Sequence, residues 1–197
     1  RGKGVAAVEH AARVIRAFRQ SAALRPTLTE VAEEMSAYLS AFFDDEDFAT
    51  ALLVDASDPE RLVVVGCGNP EPVLVGPDGT AAHVETVPCL PLGLGADYEA
   101  VTVPWSAGSR LLMYTDGLSE ARDEDGEFLP LLPLAPLLRE GDGEQALDRL
   151  LDAVREHIPR GQLNDDLAVL LIEHLSDQAE PVSWPEVRTL GLQLADS

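Results

Sequence analysis

The chain has 197 residues, of which 46% are hydrophobic, so it can bury one proper core and is not disordered throughout. Its 14 lysines and arginines face 35 aspartates and glutamates, which gives a formal net charge of −21. A surface this acidic repels nucleic-acid phosphates and anionic lipid headgroups, which argues against contact with nucleic acid or with a membrane. The acidity itself has two readings, since carboxylates can serve solubility or converge on divalent cations.

The cysteines and the ends of the chain bear on its compartment. Cys67 and Cys89 are too few for a disulfide framework, which favours a reducing, cytoplasmic location. No run of about 18 apolar residues is present to span a membrane. The chain begins at Arg1 without a methionine or a signal-peptide pattern, so we expect it to be part of a longer protein.

The periodicity of apolar residues predicts helices first and strands afterwards. One helix is predicted over residues 4–19, and a second begins at Thr27, which forms a capping box with Glu30. Short strand-type runs separated by turn residues follow at 48–54, 62–67, 72–75, 99–103 and 110–114.

The last third of the chain adds one helix and one strand. Residues 143–158 read as an amphipathic helix, and residues 167–172 as a continuous apolar strand of the kind that is buried on both faces. The whole order predicts an α+β domain, with antiparallel sheet packed against paired helices. The polar residues 174–197 are predicted to be a tail or linker.

Two groups of carboxylates stand where strands begin or end. Asp116 and Gly117 come one residue after the strand that ends at Tyr114, whereas Asp165 and Asp166 directly precede the last apolar strand. Carboxylates at the rims of neighbouring strands can converge on one Mg²⁺ or Mn²⁺ site. On spacing alone an ordinary Asp-Gly turn and a solvated loop remain open.

Five segments together carry a family resemblance. In chain order they are Arg1-Gly2-Lys3-Gly4, Cys67-Gly68-Asn69-Pro70-Glu71-Pro72, Pro91-Leu92-Gly93-Leu94-Gly95, Tyr114-Thr115-Asp116-Gly117-Leu118-Ser119-Glu120-Ala121-Arg122-Asp123 and Asp165-Asp166-Leu167-Ala168. They resemble the PPM family of metal-dependent serine/threonine phosphatases, specifically its bacterial branch typified by SpoIIE and RsbU. Each segment is weak alone, but five in the family's order are specific. The resemblance covers residues 1–173, which we take as a domain incomplete at its N-terminus.

The resemblance implies a fold and a metal site. The fold is an αββα four-layer sandwich, two antiparallel sheets flanked by helices, here lacking the first strands. Asp116 matches a metal ligand, Asp165 matches the second ligand best, and Asp166 is either the fallback ligand or a carboxylate outside the ligand set. Two Mn²⁺ or Mg²⁺ ions are implied for the complete domain. The family's other ligand aspartates would lie upstream of Arg1, and Asn69 replaces the histidine of the family's turn.

The implied activity is the hydrolysis of phosphoserine or phosphothreonine by a metal-held water, with no protein nucleophile. The implied partner is a phosphorylated regulatory protein of the anti-anti-sigma type; the sequence does not indicate which residues bind it. Members of this branch often carry an upstream sensor or membrane anchor, with the phosphatase domain facing the cytoplasm. Without the upstream ligands, we expect the 197 residues alone to be nearly inactive.

Two rival functions use the same residues differently. A non-catalytic PPM-like binding or regulatory module would keep the fold but not the chemistry. A Mg²⁺-dependent phosphatase of another fold would use Asp116 as a nucleophile, but such enzymes need an Asp-x-Asp after the strand and none follows Tyr114. Cys67 and Cys89 have no basic partner in sequence that would favour a catalytic thiolate.

Overall fold

The structure is a computed structural model and describes residues 5–44, 47–95, 97–158 and 166–175. The helices are α1 (Val5–Leu24), α2 (Leu28–Ser40), the short α3 (Asp116–Ser119), a 3-10 helix η1 (Leu132–Leu138) and α4 (Gly143–His157). The strands are β1 (Ala51–Asp58), β2 (Arg61–Cys67), β3 (Val73–Val75), β4 (Ala81–His83), β5 (Val101–Pro104), β6 (Arg110–Tyr114) and β7 (Val169–Glu173). None of the helices in these ranges is long and apolar enough to cross a membrane.

The strands form two antiparallel sheets. The first has the order β1-β2-β5 and the second the order β4-β3-β6-β7. All the pairings between neighbours are antiparallel, and β6 and β7 are in register from Arg110 opposite Glu173 to Tyr114 opposite Val169. The prediction of an α+β domain built on two antiparallel sheets is confirmed.

Three apolar clusters show how the layers stack. Between the sheets, Leu62 and Val64 of β2 pack against Leu111 of β6 and the buried Trp105. On the other side of the first sheet, β1 and β2 pack against α2, and α1 packs against α2 in the same cluster. On the other side of the second sheet, β3 and β6 pack against η1 and α4. The order helices, sheet, sheet, helices is the predicted four-layer sandwich.

The buried hydroxyl of Ser36 links α2 to the segment between β4 and β5. Ser36 donates to the carbonyl oxygen of Gly95 (2.5 Å) and accepts from the amide of Gly93 (3.0 Å) and the hydroxyl of Tyr98 (3.1 Å). Tyr98 also reaches the carbonyl of Pro91 at 3.3 Å. A serine hydroxyl has one proton and two lone pairs, so Ser36 is fully used. This network fixes the Pro-Leu-Gly segment beneath the helix.

Several predicted elements are confirmed with their details. The capping box is present, since Thr27 accepts from the amide of Glu30 (3.3 Å) and Glu30 accepts from the amide of Thr27 (3.2 Å). In α4, Ala146, Leu150 and Val154 are buried, as the amphipathic pattern predicts. The predicted strands all exist, with bounds that shift by a few residues.

Other features differ from the prediction or were missed. The strand β7 is not buried on both faces: Leu170 is 54% exposed, and β7 is the outermost strand of the second sheet in the described part of the chain. An apolar sequence alone does not show whether a strand is central or lies at the edge. No sequence pattern predicted β4, α3 or η1, because they are only three to seven residues long and η1 contains prolines.

Candidate metal centre

The site is built around the end of β6. The strand is buried through Tyr114, after which the chain turns directly into α3, which begins at Asp116. Gly117 lies inside this short helix and its amide donates to Oδ1 of Asp116 at 3.0 Å. The bond orients the carboxylate, and the side chain of Asp116 remains exposed to solvent.

Thr115 joins the end of β6 to the residues before β7. Its amide donates to the carbonyl of Ala168 (3.0 Å), and its hydroxyl accepts from the amide of Ala168 (2.9 Å). The same hydroxyl donates to the carbonyl oxygen of Asp166 at 3.1 Å. The main chain of Asp166 therefore lies within hydrogen-bond distance of the residue that precedes Asp116.

A turn from another part of the chain supports the same strand end. The side-chain amide of Asn69 donates to the carbonyl oxygen of Tyr114 at 3.1 Å. The Tyr114 hydroxyl donates in turn to the carbonyl of Glu71 at 2.6 Å, and burial raises the pKa of Tyr114 to about 12. Asn69, which stands where the family's turn has a histidine, thus has a structural contact just before the candidate ligand.

The turn that carries Asn69 depends on a glycine. Gly68 has φ +72°, a backbone conformation that residues with a side chain rarely adopt. A Cβ at this position would also lie 2.7 Å from Cγ of Pro91. The turn is therefore packed against the Pro-Leu-Gly segment, which Ser36 holds on its other side. Two of the motif segments that are distant in sequence are neighbours in the structure.

A small hairpin follows α3. Residues 121 to 129 pair through the bridge Arg122–Phe128, and the guanidinium of Arg122 lies 3.8 Å from the centre of the Phe128 ring. Oδ1 of Asp123 accepts from two amides inside the hairpin, at 2.9 Å each. The carboxylate of Asp123 is thus engaged in closing this turn. Arg122 is the only basic residue between Arg110 and Arg139.

The structure reaches only part of the predicted ligand set. Asp116 and Asp166 belong to it, whereas Asp165 and the segment Arg1-Gly2-Lys3-Gly4 lie outside the described residues. Among the residues that are described, no three His, Cys, Asp or Glu side chains come together in a group that could hold a metal ion. The convergence of Asp116 with Asp165 therefore stays a prediction.

The donors that are present suit a hard cation. Asp116 and Asp166 are both exposed, and both belong to chain segments that Thr115 ties together. Carboxylate oxygens are the ligands that Mg²⁺ and Mn²⁺ prefer, and these ions usually keep several waters, which an exposed rim allows. The two residues are therefore of the chemical type that a divalent metal uses.

The environment of Cys67 argues against a catalytic thiolate at that position. Cys67 is fully buried at the end of β2, and burial raises the pKa of its thiol to about 12. The thiol is therefore protonated at neutral pH and is not a nucleophile there. Cys89 is half-buried and its thiol contacts the carbonyl of Val87 at 3.2 Å.

The residues that the sequence interpretation missed are Thr115 and Asn69 in their bridging roles. Both stand in motif segments, but neither type signals a site by itself. A signal for Thr115 existed: a threonine between a buried strand and an Asp-Gly pair is placed where a ladder ends and a helix begins. Its partner at Ala168 could be found only from the register of β6 on β7.

Two antiparallel sheets between helical layers, with carboxylates at the ends of neighbouring strands, define the PP2C-type, or PPM, phosphatase fold. The family model of Stage II sporulation protein E (SpoIIE) matches residues 1–175, so the chain belongs to the SpoIIE family.

Solved structures agree with this fold. The RsbU and RsbW domains of a Mycobacterium tuberculosis protein share 25% identity with a TM-score of 0.67, over 86% of this chain and 48% of that one. The PP2C phosphatase domain of SpoIIE from Bacillus subtilis, solved with a fragment of its regulatory domain, shares 19% with a TM-score of 0.67, over 87% of this chain and 50% of that one. The present chain thus spans about half the length of these two.

A third structure includes metals. The catalytic domain of the serine/threonine phosphatase PstP, solved with two manganese ions, shares 18% identity with a TM-score of 0.60. The match covers 87% of this chain and 83% of that one. At this identity the likeness shows the fold alone.

Proposed function

We propose that the protein containing this chain is a metal-dependent phosphatase that removes phosphate from phosphoserine or phosphothreonine on a regulatory protein of the anti-anti-sigma type. Membership of the SpoIIE family supports the class of reaction. The observation that carries the proposal for this chain is the junction at Thr115, which brings the segment of Asp166 beside Asp116.

The metal would be held by Asp116 together with Asp165, or with Asp166 in its place, and by aspartates upstream of Arg1. When bound, a pair of Mn²⁺ or Mg²⁺ ions lowers the pKa of a water between them and neutralises phosphate charge. PstP, which has the same fold, was solved with two manganese ions. The acidic character of the chain fits cation binding at this rim.

The residues of this chain would position the metal ligands and would not themselves attack the phosphate. The amide of Gly117 donates to one oxygen of Asp116, and the residue as a whole is exposed to solvent. Asn69 and Thr115 hold the strand ends on either side, so the carboxylate does not have to be ordered when a cation arrives. A site that is ordered in advance reduces the entropic cost of binding the cation and of reaching the transition state.

The proposal is tested on the full-length protein with p-nitrophenyl phosphate and a phosphoserine peptide, with Mn²⁺ and Mg²⁺ titrated separately. Asp116→Asn should lower kcat/KM by about 100-fold or more, because loss of a ligand should exceed the 10–100-fold typical of its supporting partners. The matched control is Asp148→Asn, the same change at an exposed position of α4, which should leave the rate unchanged.

Asp165→Asn and Asp166→Asn in the same assay decide between the two neighbours. We expect the large loss at Asp165 and a smaller one at Asp166. The 197-residue chain by itself should turn over far more slowly than a longer protein that includes the upstream aspartates that we propose as the other ligands. Equal rates would show that those aspartates are not needed.

A protein that stays inert with either metal, yet binds a phosphorylated or unphosphorylated regulatory protein, would replace the enzyme with the non-catalytic module. Loss of turnover on thiol alkylation of a still-folded protein would contradict a water nucleophile. Both results can be read with the same preparation.

A further inference from the structure

Thr115 has an unusual set of hydrogen bonds for a residue that starts a helix. It stands at the N-cap of α3, but its side chain makes no capping bond. Its carbonyl oxygen instead accepts from the amide of Leu118 at 3.0 Å. The carbonyl oxygen of Thr115 is therefore used inside α3 and is not the acceptor for the next bond of the β6–β7 ladder.

The hydroxyl supplies that acceptor. Continuing the register of Tyr114 opposite Val169 places Thr115 opposite Ala168, a position where an antiparallel pair exchanges two main-chain bonds. One is present, from the amide of Thr115 to the carbonyl of Ala168. The amide of Ala168 goes to the Thr115 hydroxyl at 2.9 Å.

The remaining proton of the hydroxyl is also used. The hydroxyl donates this proton to the carbonyl oxygen of Asp166, with 3.1 Å between the two oxygens. The Thr115 side chain therefore binds the segment at Asp166 and at Ala168. A β-branched side chain has few rotamers, which makes such a bridge stiff. The main chain of Asp166 is thereby fixed against the residue next to Asp116.

We propose that Thr115 is a positioning residue, whose hydroxyl sets the placement of the Asp166 segment relative to Asp116 and so sets the affinity of the site for divalent cations. The inference rests on the proposed metal-dependent function. It assigns to the Thr115 hydroxyl an effect on the Kd for the metal that a change in the stability of the fold does not explain. Valine has the same shape without the hydroxyl, and serine keeps the hydroxyl without the methyl group.

The experiment measures Mn²⁺ binding to the full-length protein by the electron paramagnetic resonance signal of free Mn²⁺, well below the melting temperature. Thr115→Val should raise the Kd for Mn²⁺ about 10–100-fold, the usual effect of removing a partner of a ligand. Thr115→Ser should restore most of the affinity. Thr102→Val is the matched control, because Thr102 is exposed on β5 in the other sheet.

The melting temperature without metal separates positioning from stability. An unchanged Kd in Thr115→Val with a lowered melting temperature would overturn the inference and leave the proposed function intact. Equal weakening by valine and serine would also overturn it, because the hydroxyl would not be the cause. A wild-type protein that binds no Mn²⁺ would overturn both this inference and the proposed function.

Discussion

The two helical layers use their apolar residues in opposite ways. On the second sheet, α4 turns Ala146, Leu150 and Val154 inward, and all three are buried. On the first sheet, α1 carries Val8 (72% exposed) and Ile15 (54% exposed) on its outward side. Its contact with the core is made by Ala17 and Ser21, both buried, and by the partly buried Val14.

The difference teaches what an apolar period does and does not indicate. Both helices repeat apolar residues at helical spacing, and both are helices in the structure. Only in α4 does the stripe identify the side that faces the sheet. Small residues such as Ala17 let α1 approach α2 closely, so the inward side of α1 is marked by side-chain size more than by hydropathy.

The sharpest test of this contrast is a truncation in the second layer. Leu150 is fully buried in the cluster formed by β3, β6, η1 and α4. We expect Leu150→Ala to lower the free energy of unfolding by about 2–5 kcal/mol, through lost apolar burial and a residual cavity. Urea unfolding followed by circular dichroism measures it. A loss below about 1 kcal/mol would show that this layer packs loosely.

Next in size is the buried hydroxyl that ties the first layer to the loop. Ser36→Ala leaves the amide of Gly93 and the hydroxyl of Tyr98 with one partner fewer. We expect a loss of about 1–3 kcal/mol, the usual consequence of a buried polar group left unsatisfied. Ser40→Ala, at the exposed end of α2, is the control in the same urea titration. Equal effects of the two changes would contradict a special role for Ser36.

A smaller effect is expected where α2 begins. Thr27→Ala removes the hydroxyl that accepts from the amide of Glu30, and with it half of the capping box. The expected loss is about 1 kcal/mol. Thr27→Ser should recover most of that loss, because serine caps equally well. A loss that serine does not recover would point to the methyl group instead of the cap.

The smallest effect is expected on the outward side of α1. Ile15→Ala should change the free energy of unfolding by no more than about 0.5 kcal/mol, as at other exposed positions. The matched comparison is Leu150→Ala, since both changes shorten a branched apolar residue in the middle of a helix. A loss of several kcal/mol at Ile15 would mean that this side of α1 is covered in solution, and would remove the contrast between the layers.

The sequence predicted most of the fold, because most of the fold is carried by local patterns. The capping box at Thr27 and the apolar period of residues 143–158 each depend on neighbours a few residues away. The edge position of β7 and the outward stripe of α1 depend on which surfaces remain uncovered, and no local pattern carries that. The short elements α3 and η1 are stabilised by the layers around them.

For the candidate site, the sequence predicted the ligand positions but not the contacts that support them. The Asp116 and Asp166 positions follow from strand ends and from the family's motifs. The bonds of Asn69 and Thr115 could not be predicted, because they join segments that are 45 and 51 residues apart in the chain. Asn69 shows the point most clearly: its type departs from the family's turn, yet its amide supports the strand that leads to Asp116.

The junction at Thr115 also bears on how this rim of the molecule moves. Farther along the same two strands, Leu111 lies opposite Ile172 in the main-chain ladder, and exchange of the amides there requires the two strands to separate. The amide of Ala168 is held by a side-chain hydroxyl, which a single rotation about χ1 releases. Exchange of that amide with solvent therefore needs a change of rotamer and no unfolding. The main-chain bond from the amide of Thr115 to the carbonyl of Ala168 does not depend on that rotamer, so the segment stays attached to the end of β6 during such an exchange.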